Sequence, residues 1–130
     1  MPTTINGTTG ITVPSGQLIN AGFTSYFESA QQNIGSGFAN SITVSHGLGA
    51  QPKLMYIGLK CVTTDLGYAV GDEINWPTGS YYAIGGFVTW TSTTQCGFVV
   101  NANLQIPNKG TGTFSTITYA NWKVIIRAWA

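Results

Sequence analysis

Lys53 to Val62 places apolar residues on both sides of an extended segment: Leu54, Tyr56 and Gly58 alternate with Met55, Ile57, Leu59 and Cys61. A strand with no polar face belongs in a sheet that is covered on both sides. The segment therefore predicts a central strand, with the domain core on one side and a second sheet or a neighbouring subunit on the other. Asn121 to Ala130 alternates cleanly, with Trp122, Val124, Ile126 and Ala128 on one face and Lys123, Ile125, Arg127 and Trp129 on the other, the pattern of an amphipathic strand. Ser41 to Ser45, Tyr81 to Thr91, Gln95 to Ala102 and Thr113 to Tyr119 read as further strands. They are punctuated by Gly35-Ser36-Gly37, by the hairpin-length link Ser92-Thr93-Thr94 and by the turn from Pro107 to Gly112.

Gly22 to Ile34 admits two readings. Phe23, Phe27, Ala30 and Ile34 fall at helical spacing, and Ser25 to Glu28 imitates a capping box. Thr24, Tyr26 and Phe27 are good strand formers, and the strand is the preferred expectation. Short strands, frequent turn signals and scarcely any helical period predict an all-β chain, an antiparallel β-sandwich of jelly-roll type or a closed barrel. The expected organisation is an N-terminal arm over residues 1–20, rich in Thr and Gly and free of charge, followed by one β-sandwich domain over residues 21–130.

Only 7% of the 130 residues are charged, against roughly 25% in an average soluble domain. Thr, Ser, Asn, Gln and Gly must then cover the surface, and a formal net charge of +1 gives little repulsion against self-association. A homo-oligomer is the expectation. Lys53, Lys60, Lys109, Lys123 and Arg127 form no basic stripe, which argues against nucleic acid as a partner. The first twenty residues carry neither a basic nor an apolar leader region, and no apolar run approaches membrane-spanning length, so nothing addresses the chain to a membrane or the secretory route. Cys61 and Cys96 lie far apart in strand-like contexts; free buried thiols are preferred over a disulfide.

Chemistry finds few candidates. His46 is the only histidine and has no nucleophile elbow to serve; its ring is expected to hydrogen-bond the corner formed with Gly47, Gly49 and Pro52. Glu28, Asp65, Asp72 and Glu73 are the whole supply of carboxylates, and Asp72 and Glu73, being adjacent, read as solvent-facing turn and strand-start residues more than as a glycosidase pair. One His and two separated Cys make no zinc site, and the acids match no calcium loop. No catalytic residue, metal or cofactor is assigned. The best ligand candidate is Asn75 and Trp76 with Tyr81 and Tyr82, around the Pro77-to-Ser80 loop. Sugar rings stack on aromatic faces while amides fix their hydroxyls; the competing reading packs these aromatics into the end of the domain or an intersubunit seam.

Two phrases, His46-Gly47-Leu48-Gly49-Ala50-Gln51-Pro52-Lys53-Leu54 and Gly67-Tyr68-Ala69-Val70-Gly71-Asp72-Glu73, resemble a domain of tailed-bacteriophage virion proteins found in tail fibres, head fibres and spike-like appendages. The likeness covers about residues 27 to 75. It implies a non-enzymatic structural or receptor-binding protein of the virion, assembled in the host cytoplasm. It also implies, by analogy of shape, a trimeric sandwich like that of the glycan-binding H-type lectins. The partners so implied are other copies of the chain, other virion proteins docked through the N-terminal arm, and a host-surface glycan. The resemblance carries over no binding residue.

Overall fold

A computed structural model describes residues 4–6, 10–12, 23–35, 40–75, 87–100 and 104–130. Every β-ladder in it is antiparallel, and the described residues contain no α-helix. β1 (Thr4–Asn6) and β2 (Gly10–Thr12) pair with each other. The main sheet is five-stranded: β12 (Trp122–Trp129) lies between β6 (Leu54–Cys61) and the shorter β3 (Tyr26–Glu28) and β4 (Gln32–Asn33), and β7 (Glu73–Asn75) flanks β6. A three-stranded sheet holds β5 (Asn40–Ser45), β9 (Gln95–Val100) and β8 (Phe87–Thr91) in that order, and β10 (Gln105–Pro107) pairs with β11 (Phe114–Thr116).

β6 and β12 pair over their whole length, from Trp122 opposite Cys61 to Trp129 opposite Leu54. In that register Ile57, Leu59 and Cys61 share a face with Trp122, Val124, Ile126 and Ala128, all buried. The same cluster takes in Cys96 and Phe98 from β9, with Leu104, Ile106 and Ile117, so both sheets contribute to one core. Cys61 and Cys96 are free and buried, and burial pushes both thiols up from their ordinary pKa, which keeps them protonated and inert.

The helix-like spacing of Phe27 and Ile34 has a β explanation. Glu28 pairs with Arg127 and Gln32 with Val124, so three residues (29 to 31) face two (125 and 126). The extra residue is a bulge that resets the alternation. Phe27 packs on the core before it and Ile34 is buried after it. Ser29 pins the bulge, donating its N–H to the Ile126 carbonyl at 2.9 Å and accepting the Ile126 N–H on its Oγ at 3.0 Å.

One expected strand is shorter than its sequence pattern. Of Thr113 to Tyr119 only Phe114–Thr116 is paired, and Tyr119–Asn121 is a 3-10 turn. The cause lies far away in sequence, where Asp65 takes the Thr118 N–H at 2.8 Å and withdraws it from any ladder. β8 is described from Phe87 and β9 as far as Val100; the earlier part of the expected Tyr81–Thr91 strand and the final Asn101-Ala102 of the other lie outside the described residues.

Candidate functional site

Five of the nine charged residues stand on one surface, the face of the five-stranded sheet turned away from the core. The register arranges it in rows across the strands. Tyr26, Trp129 and Leu54 form the first; Glu28, Arg127 and Tyr56 the second; Ile125, Gly58 and Asn75 the third; Asn33, Lys123, Lys60 and Glu73 the fourth. Arg127, at the centre, donates through Nε to Glu28 Oε2 at 2.6 Å and grips Glu73 with both terminal nitrogens, while its guanidinium lies 5.3 Å from the centre of the Tyr56 ring. Glu73 reaches Arg127 by folding over Gly58. A Cβ on Gly58 would stand 2.6 Å from Glu73 Oε1 and 2.9 Å from Tyr56 Cε1, so glycine supplies the notch in which the carboxylate lies.

Arg127 holds the Glu28 and Glu73 carboxyls below their ordinary range, and its own pKa is raised in return. The Glu28 carboxylate, accepting the Tyr26 hydroxyl at 2.8 Å, raises that phenol. Carboxylates with depressed pKa values add stability that is present above their unfolded values, about 4, and lost as pH falls through their folded values. Acidification from about pH 5 toward pH 2 is therefore expected to lower the melting temperature. Arg127→Met should flatten that fall, because Glu28 and Glu73 then titrate nearer their unfolded values. An equally steep acid limb in the variant, measured by thermal denaturation in matched buffers, would discount the network.

Glu73 opens β7, as expected, and Asp72 stays at the turn before it but is not free. It is partly buried, accepts the Ala69 N–H at 3.0 Å and pairs with Lys109 at 2.6 Å, which lowers its pKa. Glu73 is likewise half-buried on Arg127. Asp65 accepts the Trp122 indole N–H at 2.9 Å besides the Thr118 N–H. All four carboxylates thus take part in holding the fold. Asp65 also bridges to Tyr68 across a tight turn in which Leu66 adopts φ +48° and Gly67 φ +81°, a turn geometry that normally favours glycine or asparagine at its first central position.

His46 is buried at the end of β5. Its Nδ1 accepts the Leu48 N–H at 3.1 Å, leaving Nε2 to donate to the Ser92 carbonyl at 3.1 Å. Both ring nitrogens are engaged in clamping the corner onto the β8–β9 hairpin. Gly47 and Gly49 follow with φ of +61° and +76°, values that glycine adopts without strain, and buried Pro52 leads into β6. Asn75 ends β7, exposed, in the third row of the outward face. Trp76, Tyr81 and Tyr82 lie outside the described residues. The aromatic groups that stand with the charged network are Tyr26, Tyr56 and Trp129; the alternation of the last strand placed Arg127 and Trp129 on one face, but no local signal joined them to Tyr26 and Glu28 about a hundred residues earlier.

Among the described residues no group of three or more His, Cys, Asp or Glu could hold a metal ion, and no helix is long and apolar enough to cross a membrane. Comparison with protein-family models, with curated proteins and with solved structures finds no match.

Proposed function

We propose that this chain is a non-enzymatic appendage module of a tailed-bacteriophage virion, an antiparallel β-sandwich assembled as a homotrimer, that recognises a glycan on the host surface. The observation that carries the binding reading is the fate of the carboxylates. Each is tied into an ion pair or a structural hydrogen bond, which favours binding over the paired acid and base that cleave a sugar chain, while aromatic side chains stay exposed on the sheet. The two phage-like phrases supply the virion context. Their His46 and Asp72 belong to corners and turns, in keeping with scaffold flanking a recognition surface. A core shared by two sheets favours the sandwich.

Self-association, which a trimer requires, finds support on the other sheet. The outward face of β5, β9 and β8 presents Ser41, Thr43, Ser45, Gln95, Trp90, Val88 and Val99 without one charge. Val88 and Val99 are opposite one another and 60% and 46% exposed. Such a face can meet a copy of itself without burying an ion. Val99→Lys, which sets one cation per subunit into that seam, is expected to yield a folded monomer by analytical ultracentrifugation; an unchanged oligomer would move the seam elsewhere.

Purified oligomer is expected to adsorb to host cells and to polysaccharide extracted from them without releasing reducing ends, and to compete with phage adsorption. Trimerisation would multiply weak single-site contacts. Absence of binding to cells and polysaccharide would overturn the recognition role. Incorporation into virions despite that absence would favour a collar, fibre-base or capsid-decoration module, for which the same neutral Val88–Val99 face would dock on another virion protein, with residues 1–20 as the attachment arm.

A further inference from the structure

We infer that the outward face of the five-stranded sheet, at its Tyr26–Trp129–Leu54 end, is the saccharide site, and that it takes a soluble oligosaccharide of neutral sugars. The assignment rests on the glycan-recognition reading above and gives it a place the sequence did not indicate.

A sugar site needs an apolar ring held still for the C–H face of the pyranose, and fixed polar groups beside it for the hydroxyls. Both are present. Trp129 sits in the middle strand, its carbonyl accepting the Lys53 N–H at 2.8 Å, and its ring is flanked by Tyr26 at 5.3 Å and Phe23 at 6.5 Å between centroids. Tyr26 and Leu54, on either side of Trp129 in the first row, are 52% and 49% exposed. One row along, Glu28 Oε2 is occupied by Tyr26 and Arg127, while Oε1 has no hydrogen bond among the described residues. The carboxylate is thus held in place with an acceptor to spare, as a hydroxyl donor requires. A longer saccharide running down the sheet would meet the exposed amide of Asn75.

The chemistry narrows the ligand in two ways. Tyr26 and Phe23 are tilted from Trp129 by 43° and 53°, making a curved aromatic strip. A single hydrated chain can follow it, whereas a flat crystalline polysaccharide needs coplanar rings. Around the strip Arg127 faces two carboxylates, Glu28 and Glu73, and the other cations of the face, Lys60 and Lys123, belong to the fourth row. The field at the strip therefore favours no anionic sugar.

A protein occupant fits less well. Covering this end with a second copy would take the Glu28–Arg127 pair out of water, with Glu28 now 46% exposed, a desolvation that interfaces seldom recover. A saccharide exchanges its hydroxyls for the water on those groups and leaves the pair partly solvated.

The test compares the wild-type oligomer with Tyr26→Ala, Trp129→Ala and, as a control off this face, Val70→Ala, on an array of neutral and acidic oligosaccharides and on suspended microcrystalline cellulose and chitin, with circular-dichroism melts for each. The expected result is wild-type and Val70→Ala binding to neutral oligosaccharides, no retention on the crystalline polymers, and at least tenfold weaker binding by both aromatic variants. Tyr26 is exposed, so its variant keeps the test decisive if Trp129→Ala fails to fold. Wild-type binding that both folded aromatic variants retain within twofold would overturn this site and leave glycan recognition standing. Binding confined to acidic sugars would overturn the ligand class, and no wild-type binding to the array, host cells or extracted polysaccharide would overturn recognition and site together.

Discussion

Trp122→Ala is expected to lower the unfolding free energy by about 4 kcal/mol, the range for removing a fully buried aromatic, read as a shift of the denaturation midpoint at unchanged slope. Trp122 opens β12, has no exposed surface and meets Tyr68 edge-on at 5.4 Å. Its indole N–H is one of the two donors to Asp65 Oδ2. Truncation leaves a large cavity between β12 and the loop after β6 and takes one donor from a carboxylate that also fixes Thr118. Trp122→Phe separates the two effects. It keeps most of the volume and loses the hydrogen bond, at an expected cost of about 1 to 3 kcal/mol. If Trp122→Ala cost no more than Trp122→Phe, the volume of the ring would be irrelevant and the joint at Asp65 would be the whole contribution.

That joint also shows where local sequence stops being informative. The alternation of Trp122–Trp129 is readable without neighbours because burial of one face imposes a period of two. Leu54–Cys61 is the central strand its apolar run predicts, between β12 and β7, but its second face, expected to lie under another sheet or a subunit, is turned outward with Leu54 49% exposed. Ser92 to Thr94 and Pro107 to Gly112 were legible for an equally local reason, the side-chain and backbone chemistry of tight turns. The bulge at Ser29 was not: one inserted residue converts a period of two into a spacing that imitates a helix, and only pairing with β12 reveals it. Nor was the end of the last expected strand before β12, which depends on a carboxylate 53 residues away.

The outward face was less legible still. Glu28, Glu73 and Arg127 are separated by tens of residues, and each alone reads as an ordinary surface charge. Their assembly requires β3, β12, β6 and β7 in that order and Gly58 where the Glu73 carboxylate crosses β6. Along the chain the aromatics that cluster are Trp76, Tyr81 and Tyr82, around one loop. The sheet gathers Tyr26, Tyr56 and Trp129 from three strands, a proximity that register alone creates.

Register also decides the second large effect. Gly97 lies in the middle of β9, opposite Thr43 of β5 and Trp90 of β8. A Cβ there would run into the Ile42 carbonyl oxygen and stand 3.1 Å from the carbonyl carbon and from Thr43 Cα. These are backbone atoms, so no rotamer change relieves the clash and the strands themselves must separate. Gly97→Ala is expected to cost about 3 kcal/mol, the upper part of the range for overpacking, with faster hydrogen exchange concentrated at β5 and β9. The change adds one methyl group and removes no contact, so an effect of that size can come only from the closeness of the two chains. Gly110→Ala is the matched control: its nearest neighbour would be Asn108 Oδ1 at 3.6 Å, ordinary contact, and its midpoint should stay near wild type. The same sheet carries the neutral face on which the proposed trimer closes, and β5 leads directly into the His46 corner. A displaced β5 should therefore weaken the oligomer along with the fold, so that sedimentation of Gly97→Ala at low denaturant shows dissociation before global unfolding. Equal midpoints for Gly97→Ala and Gly110→Ala would mean that β5 and β9 lie farther apart than this register requires.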